Sequence, residues 1–228
     1  MKRKSPIAAV VLAGVCLQPQ AHAQLTAVSK ASFPTGTGPI SFASLARRTE
    51  VNNLTFHGLN FHVLVSGVSR DGLVKINTGP GASNDIGGLS ATGGNDSTLS
   101  LVVNLPAPVT DFGYGYTDLS TSSLADGTTM TPFDGAASLG TLTFGAVPDP
   151  TNAGGFAGIH SDVPFDKVSL TFSPSAFQFA ADNFQFSPGV AVETPEPGSA
   201  AVVAALLLVG SAVTFRRRRK CRCNVSGP

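Results

Sequence analysis

The chain has 228 residues, 42% of them hydrophobic, with 15 Lys and Arg against 14 Asp and Glu for a formal net charge of +1. That balance averages unlike parts: between Gln24 and Pro197 only Lys30, Arg47, Arg48, Arg70, Lys75 and Lys167 face all 14 carboxylates, a charge of −8, which repels phosphate backbones and excludes nucleic acid as a partner. The three cysteines, Cys16, Cys221 and Cys223, lie outside that interval, so it holds no disulfide, thiolate metal site or cysteine nucleophile.

The first element is a targeting segment. Lys2-Arg3-Lys4 forms a charged start, residues 7–17 are apolar, and Ala21-His22-Ala23 supplies the small-x-small pattern that signal peptidase requires. Cleavage is predicted between Ala23 and Gln24, which makes residues 1–23 a signal peptide. Leu12-Ala13-Gly14-Val15-Cys16 could be read as a lipoprotein signal. Valine directly before the cysteine is bulky for that chemistry and the Ala-x-Ala site lies downstream, so an unacylated Gln24 is expected.

Residues 24–192 are long enough to bury one core without disulfides. Their apolar residues alternate with period two. Phe61, Val63 and Val65 form one such row, Leu99, Leu101, Val103 and Leu105 a second, and Phe112, Tyr114 and Tyr116 a third. Val168, Leu170 and Phe172 follow, then Phe177 with Phe179 and Phe184 with Phe186. Turn signals such as Gly87-Gly88, Gly93-Gly94-Asn95-Asp96, Asp126-Gly127 and Asp134-Gly135 punctuate the rows, and no helical stripe precedes Ala200. An all-β domain, a β-sandwich, is predicted.

Chemistry-bearing constellations are sparse in this domain. It has no Gly-x-Ser-x-Gly elbow, and its histidines are His57, His62 and His160. His57 and His62 flank a predicted hairpin with Asn60 and read as surface or turn residues rather than a metal pair. Carboxylates are scattered singly among turns, without a calcium-loop pattern. Tyr114 and Tyr116, the only tyrosines of a chain without tryptophan, share the register of Phe112 and are expected to face the core rather than to offer a sugar platform. No catalytic, cofactor or metal residue is assigned. Asp182-Asn183 is read as bonding local backbone at a strand entrance; the alternative is a structural calcium site shared with Glu50.

The chain closes on Thr194-Pro195-Glu196-Pro197-Gly198-Ser199, an uncharged apolar run over 199–215, and Arg216, Arg217, Arg218, Arg219 and Lys220. About 17 apolar residues is the short limit for a helix crossing a bilayer, and the five cations would hold its far end on the cytoplasmic side. Motif, span and basic cluster in this order resemble the PEP-CTERM signal of Gram-negative envelope proteins, which a membrane-embedded cysteine protease, exosortase, is thought to process. The resemblance makes Pro195, Glu196 and Pro197 recognition residues of a sorting segment at 193–198, followed by a transmembrane helix at 199–215 and a cytoplasmic tail at 216–228. The segment Cys221 to Pro228 extends beyond the basic cluster where such proteins commonly stop.

Two further stretches, Gly155-Phe156-Ala157-Gly158-Ile159 through Phe184-Gln185-Phe186 and Pro106-Ala107-Pro108-Val109-Thr110-Asp111-Phe112-Gly113, resemble the jelly-roll ectodomains often found on PEP-CTERM proteins. The second reads there as a proline-marked strand entry leading into an aromatic-glycine strand. A jelly-roll-like β-sandwich is thus the expected fold. The expected function is that of an exported, noncatalytic surface or matrix protein, with signal peptidase and exosortase as processing partners and extracellular polysaccharide as the candidate ligand. It would pass through an inner-membrane-anchored precursor to the cell surface or matrix. The alternative is a carbohydrate-binding module or weak glycan hydrolase sorted by the same route.

Overall fold

The computed structural model describes residues 23–34, 39–79 and 85–188. Within them the chain is β throughout: β1 Leu25–Ala27, β2 Leu54–Phe56, β3 Leu59–Val65, β4 Val68–Ser69, β5 Val74–Asn77, β6 Ser90–Gly94, β7 Leu99–Asp118, β8 Leu124–Asp134, β9 Ala137–Ser138, β10 Leu142–Pro148, β11 Ala153–Phe172 and β12 Gln178–Pro188. Single 3-10 turns at Lys30–Ser32 and Phe42–Ser44 are the helical elements among the described residues. The ladders joining the strands are antiparallel.

Two 20-residue strands, β7 and β11, organise the fold. Rows that alternate separately in the sequence, Leu99 to Leu105 and Phe112 to Tyr116, are the two halves of β7. Residues 99–104 pair with β3 and residues 109–118 with β12, while β11 runs along both halves and carries β8 on its own second half. The ladder between β7 and β11 lapses over 105–108 and 161–164, the stretches that contain Pro106, Pro108 and Pro164. Proline has no N–H to donate, so it is tolerated where pairing lapses. Pro106 and Pro108 therefore mark the middle of a long strand, not the strand entry the sequence suggested.

At those lapses the sheet folds onto itself as two layers. One contains β5, β6, β12, the second half of β7, the first half of β11 and β1; the other contains β3, the first half of β7, the second half of β11 and β8, and β10 joins them, pairing with β8 over 142–146 and with the first half of β11 at Val147 and Pro148. Ring contacts close the layers. Phe61 of β3 lies 5.3 Å from Phe184 of β12, although these strands do not pair, and Phe172 of β11 stacks on Phe179 of β12 at 3.7 Å. Phe184 also stacks on Tyr114 and meets Phe42 edge-on. Offset and edge-on aromatic pairs add about 0.5–1.5 kcal/mol each beyond the area they bury.

A bulge explains the spacing of the final phenylalanines. Phe179 and Ala181 face the core, and so does Phe184, which strict alternation from residue 179 would turn outward. The register of β12 against β7 shifts between Asp182 and Gln185, and Asn183 adopts a left-handed φ of 54° there. One extra residue restores the inward face, and asparagine tolerates that conformation better than most residues. On β7 the glycines between aromatics have the opposite task. A Cβ on Gly115 would lie 2.0 Å from the Asp85 carbonyl oxygen, so the outward face of the strand accepts a crossing chain only where a side chain is missing.

Candidate functional site

The inward row of β7 ends in a charge. Phe112, Tyr114 and Tyr116 point into the core as their register predicts, and Asp118 occupies the next inward position, with 0% of its surface exposed. The tyrosines are not available to a ligand. Tyr114 bonds through its hydroxyl to Thr128 of the facing layer, and the Tyr116 hydroxyl donates to the Gly145 carbonyl at 2.7 Å. Burial raises both phenols above their ordinary range.

Three neighbours surround Asp118 at this end of the sandwich. The Asn95 amide donates to its Oδ1 at 3.3 Å and to the Ser173 carbonyl at 2.8 Å. The Ser173 hydroxyl in turn donates to Asp126 Oδ1 at 3.2 Å. Asp118 Oδ2 and Asn95 Oδ1 are buried without hydrogen-bond partners. Desolvation, partly relieved by the Asn95 bond and reinforced by the Asp126 charge, pushes the Asp118 carboxyl up to about 7. Next to this cluster stands Phe177, whose carbonyl accepts from the Asn95 N–H at 3.3 Å and whose side chain is 86% exposed. The sequence row pairing Phe177 with Phe179 is corrected here. Only Phe179 is core, because Phe177 precedes β12 in the connection from β11.

Asp182 is a fastener. Its Oδ1 accepts the Phe42 N–H at 2.9 Å and its Oδ2 the Ser41 hydroxyl at 3.1 Å, which clips the 3-10 turn carrying Phe42 over the core. Burial raises its carboxyl and these bonds oppose the rise. Asn183 donates to the Asp85 carbonyl at 2.6 Å. Glu50 is engaged elsewhere, accepting the Gly72 N–H at 2.9 Å, so the residues of the calcium alternative bind backbone on different parts of the fold. Among the described residues no group of three or more His, Cys, Asp or Glu side chains is placed to hold a metal.

The histidines remain apart. His57 occupies the left-handed turn between β2 and β3 with its ring edge-on to Phe56, and His62 lies within β3. Asn60 is in the strand rather than the turn. His160 Nδ1 meets Asp111 Oδ1 at 2.8 Å across adjacent strands. Ser187 sits opposite Asp111 on its other side, so the carboxylate holds the middle of that row. Hydrolytic triads need the imidazole there.

Of the processing residues, Ala23 and Gln24 are described; the Gln24 N–H donates to Asp162 Oδ1 at 2.7 Å, one residue ahead of edge strand β1. Ala21, the sorting motif Pro195, Glu196 and Pro197, the span at 199–215 and the cluster Arg216, Arg217, Arg218, Arg219 and Lys220 lie outside the described residues. No described helix is long and apolar enough to cross a membrane.

No protein-family model and no curated protein matches the chain. Among solved structures it is similar to a family 29 carbohydrate-binding module, at 8% identity and TM-score 0.37 over 78% of this chain and 98% of that one. A mutant of the module CBM29-2 gives 9% identity and TM-score 0.37, over 77% and 98%. Another, complexed with mannohexaose, gives 8% and 0.36, over 63% and 95%. Likenesses at this identity and TM-score bear on neither ligand nor activity.

Proposed function

We propose that the protein is an exported, noncatalytic surface or matrix protein, a jelly-roll-like β-sandwich delivered by signal peptidase and processed by exosortase at a PEP-CTERM signal. The observation that carries this reading is the uninterrupted order of Pro195-Glu196-Pro197, apolar span and basic cluster. Prolines on both sides of Glu196 keep that segment extended and stop a membrane helix from propagating outward, which presents a non-helical strand to a protease at the membrane surface. The folded domain supports the other end. Cleavage before Gln24 would free an α-ammonium where the backbone N–H already meets the Asp162 carboxylate, converting a hydrogen bond into an ion pair at the head of β1.

Glu196→Ala tests the sorting reading. Export and signal-peptide removal should continue, while the C-terminal helix should be retained in an exosortase-positive host. Normal processing of that variant would remove Glu196 from the recognition motif and with it the basis of this reading.

Glycan binding is the second reading, favoured by Phe177, an exposed ring on the residue whose carbonyl accepts the Asn95 N–H. Flat apolar faces rimmed by polar groups suit pyranose rings. A glycan array probed with wild type and Phe177→Ala separates the readings: binding lost in the variant supports it, and an empty array leaves the noncatalytic surface role.

A further inference from the structure

The mouth between the layers, where β7 ends, is chemically incomplete. Asp118 and Asp126 are joined there by a chain of hydrogen bonds through Asn95 and Ser173. Neither has an ion-pair partner among the described residues. Isolated buried carboxylates are costly, and buried polar atoms in folded proteins are nearly always bonded. Yet Asp118 Oδ2, on a side chain with 0% exposure, and Asn95 Oδ1 both lack a partner. With Asp118 ionised, both orphaned atoms are acceptors, and a single bound cation would satisfy them together.

We infer that Asp118, Asp126 and Asn95 form a binding site for a divalent cation, calcium by its ligand chemistry. Every donor is a hard oxygen, two of them anionic and one an amide carbonyl, without nitrogen or sulfur, and that set selects calcium or magnesium over transition metals. Calcium fits better. The ligands come from a loop and two strands of facing layers, an irregular set that calcium's flexible coordination accepts and magnesium's octahedron does not. Asp118 supplies a fixed buried ligand, and exposed Asp126 leaves the outer side open to water. The site departs from the sequence expectation of no metal and from the Asp182 alternative, because its residues are 23 positions apart in one pair and meet only on folding.

The chain carries its own reporter. Its only tyrosines lie on the same inward row as Asp118, and it has no tryptophan, so terbium bound at this mouth would be sensitised through Tyr116. The experiment uses the full-length chain in detergent, stripped with chelator. Terbium emission should appear on tyrosine excitation and be competed away by calcium, and calcium should raise the Tm. Asp118→Asn and Asp126→Asn should each weaken binding by at least about tenfold. Tyr116→Phe should dim the emission without moving the calcium midpoint. Asp118→Asn should also lose the calcium-dependent rise in Tm while melting no lower than wild type in chelator at about pH 8, as an unpaired buried carboxylate requires. Asp126→Asn, at an exposed position, supplies the second variant should the first misfold. Absent emission, emission that survives in both aspartate variants, or a Tm indifferent to calcium overturns the proposal.

Discussion

Replacing Asp118 with asparagine removes a buried ionisable group from the mouth of the sandwich while keeping its shape. The folded carboxyl is raised from 3.8 to about 7, chiefly by desolvation. A group raised on folding binds its proton more tightly in the folded state, so its stabilising contribution is whole below the unfolded value and is lost as pH rises through the folded one. The difference of about three pH units corresponds to about 4 kcal/mol, spread at about 1.4 kcal/mol per pH unit over the window between the two values. Asp182 is raised too and adds a slope of the same sign, so the informative quantity is the difference between wild type and Asp118→Asn. Urea denaturation of the chelated protein at about pH 4.5, about pH 6 and about pH 8 measures it. Wild type should lose stability relative to the variant across this range, leaving the variant the more stable protein at alkaline pH. Parallel stability curves would refute the view that Asp118 is buried without a compensating partner.

Phe184→Ala removes a ring that touches Phe42, Phe61, Phe112 and Tyr114, and should cost about 3–5 kcal/mol in denaturant unfolding; a loss under about 1 kcal/mol would contradict its place at the centre of the core. The mature N-terminus read by mass spectrometry should be an unacylated Gln24, and a lipidated Cys16 would replace the signal-peptidase reading. Reductant should leave the melting curve of the mature domain unchanged, since residues 24–197 contain no cysteine; a shift would require a covalent link that the sequence does not supply.

Period-two alternation was enough to place the all-β core, because the core rows of β3, of both halves of β7 and of the end of β11 (Val168, Leu170, Phe172) are written in alternate residues. Two features were hidden. The joining of Leu99 to Leu105 and Phe112 to Tyr116 into one strand depends on partners in both layers, and Pro106 and Pro108 read locally as a break. The bulge at Asp182-Asn183 was present only as the odd spacing from Phe179 to Phe184, a signal that identifies an inserted residue once both rings are known to be buried. At the mouth, Asp118 could have been found by extending the Phe112, Tyr114, Tyr116 register one step further. Asp126 and Ser173 could not, because their meeting with Asn95 is set by the folding of one layer onto the other. Phe177 misled for a local reason: it shares the parity of Phe179 but precedes the strand.

Mass spectrometry of the C-terminus of mature protein from an exosortase-positive host separates a sorting signal from a plain anchor. A sorted chain should end near Pro195-Glu196-Pro197 and lack the apolar span and Arg216 to Lys220, whereas the same gene in a host without exosortase should yield a membrane-bound form that keeps them. An intact C-terminus in the positive host, alongside normal processing of other tagged proteins, would contradict the sorting role and make the tail a plain membrane anchor.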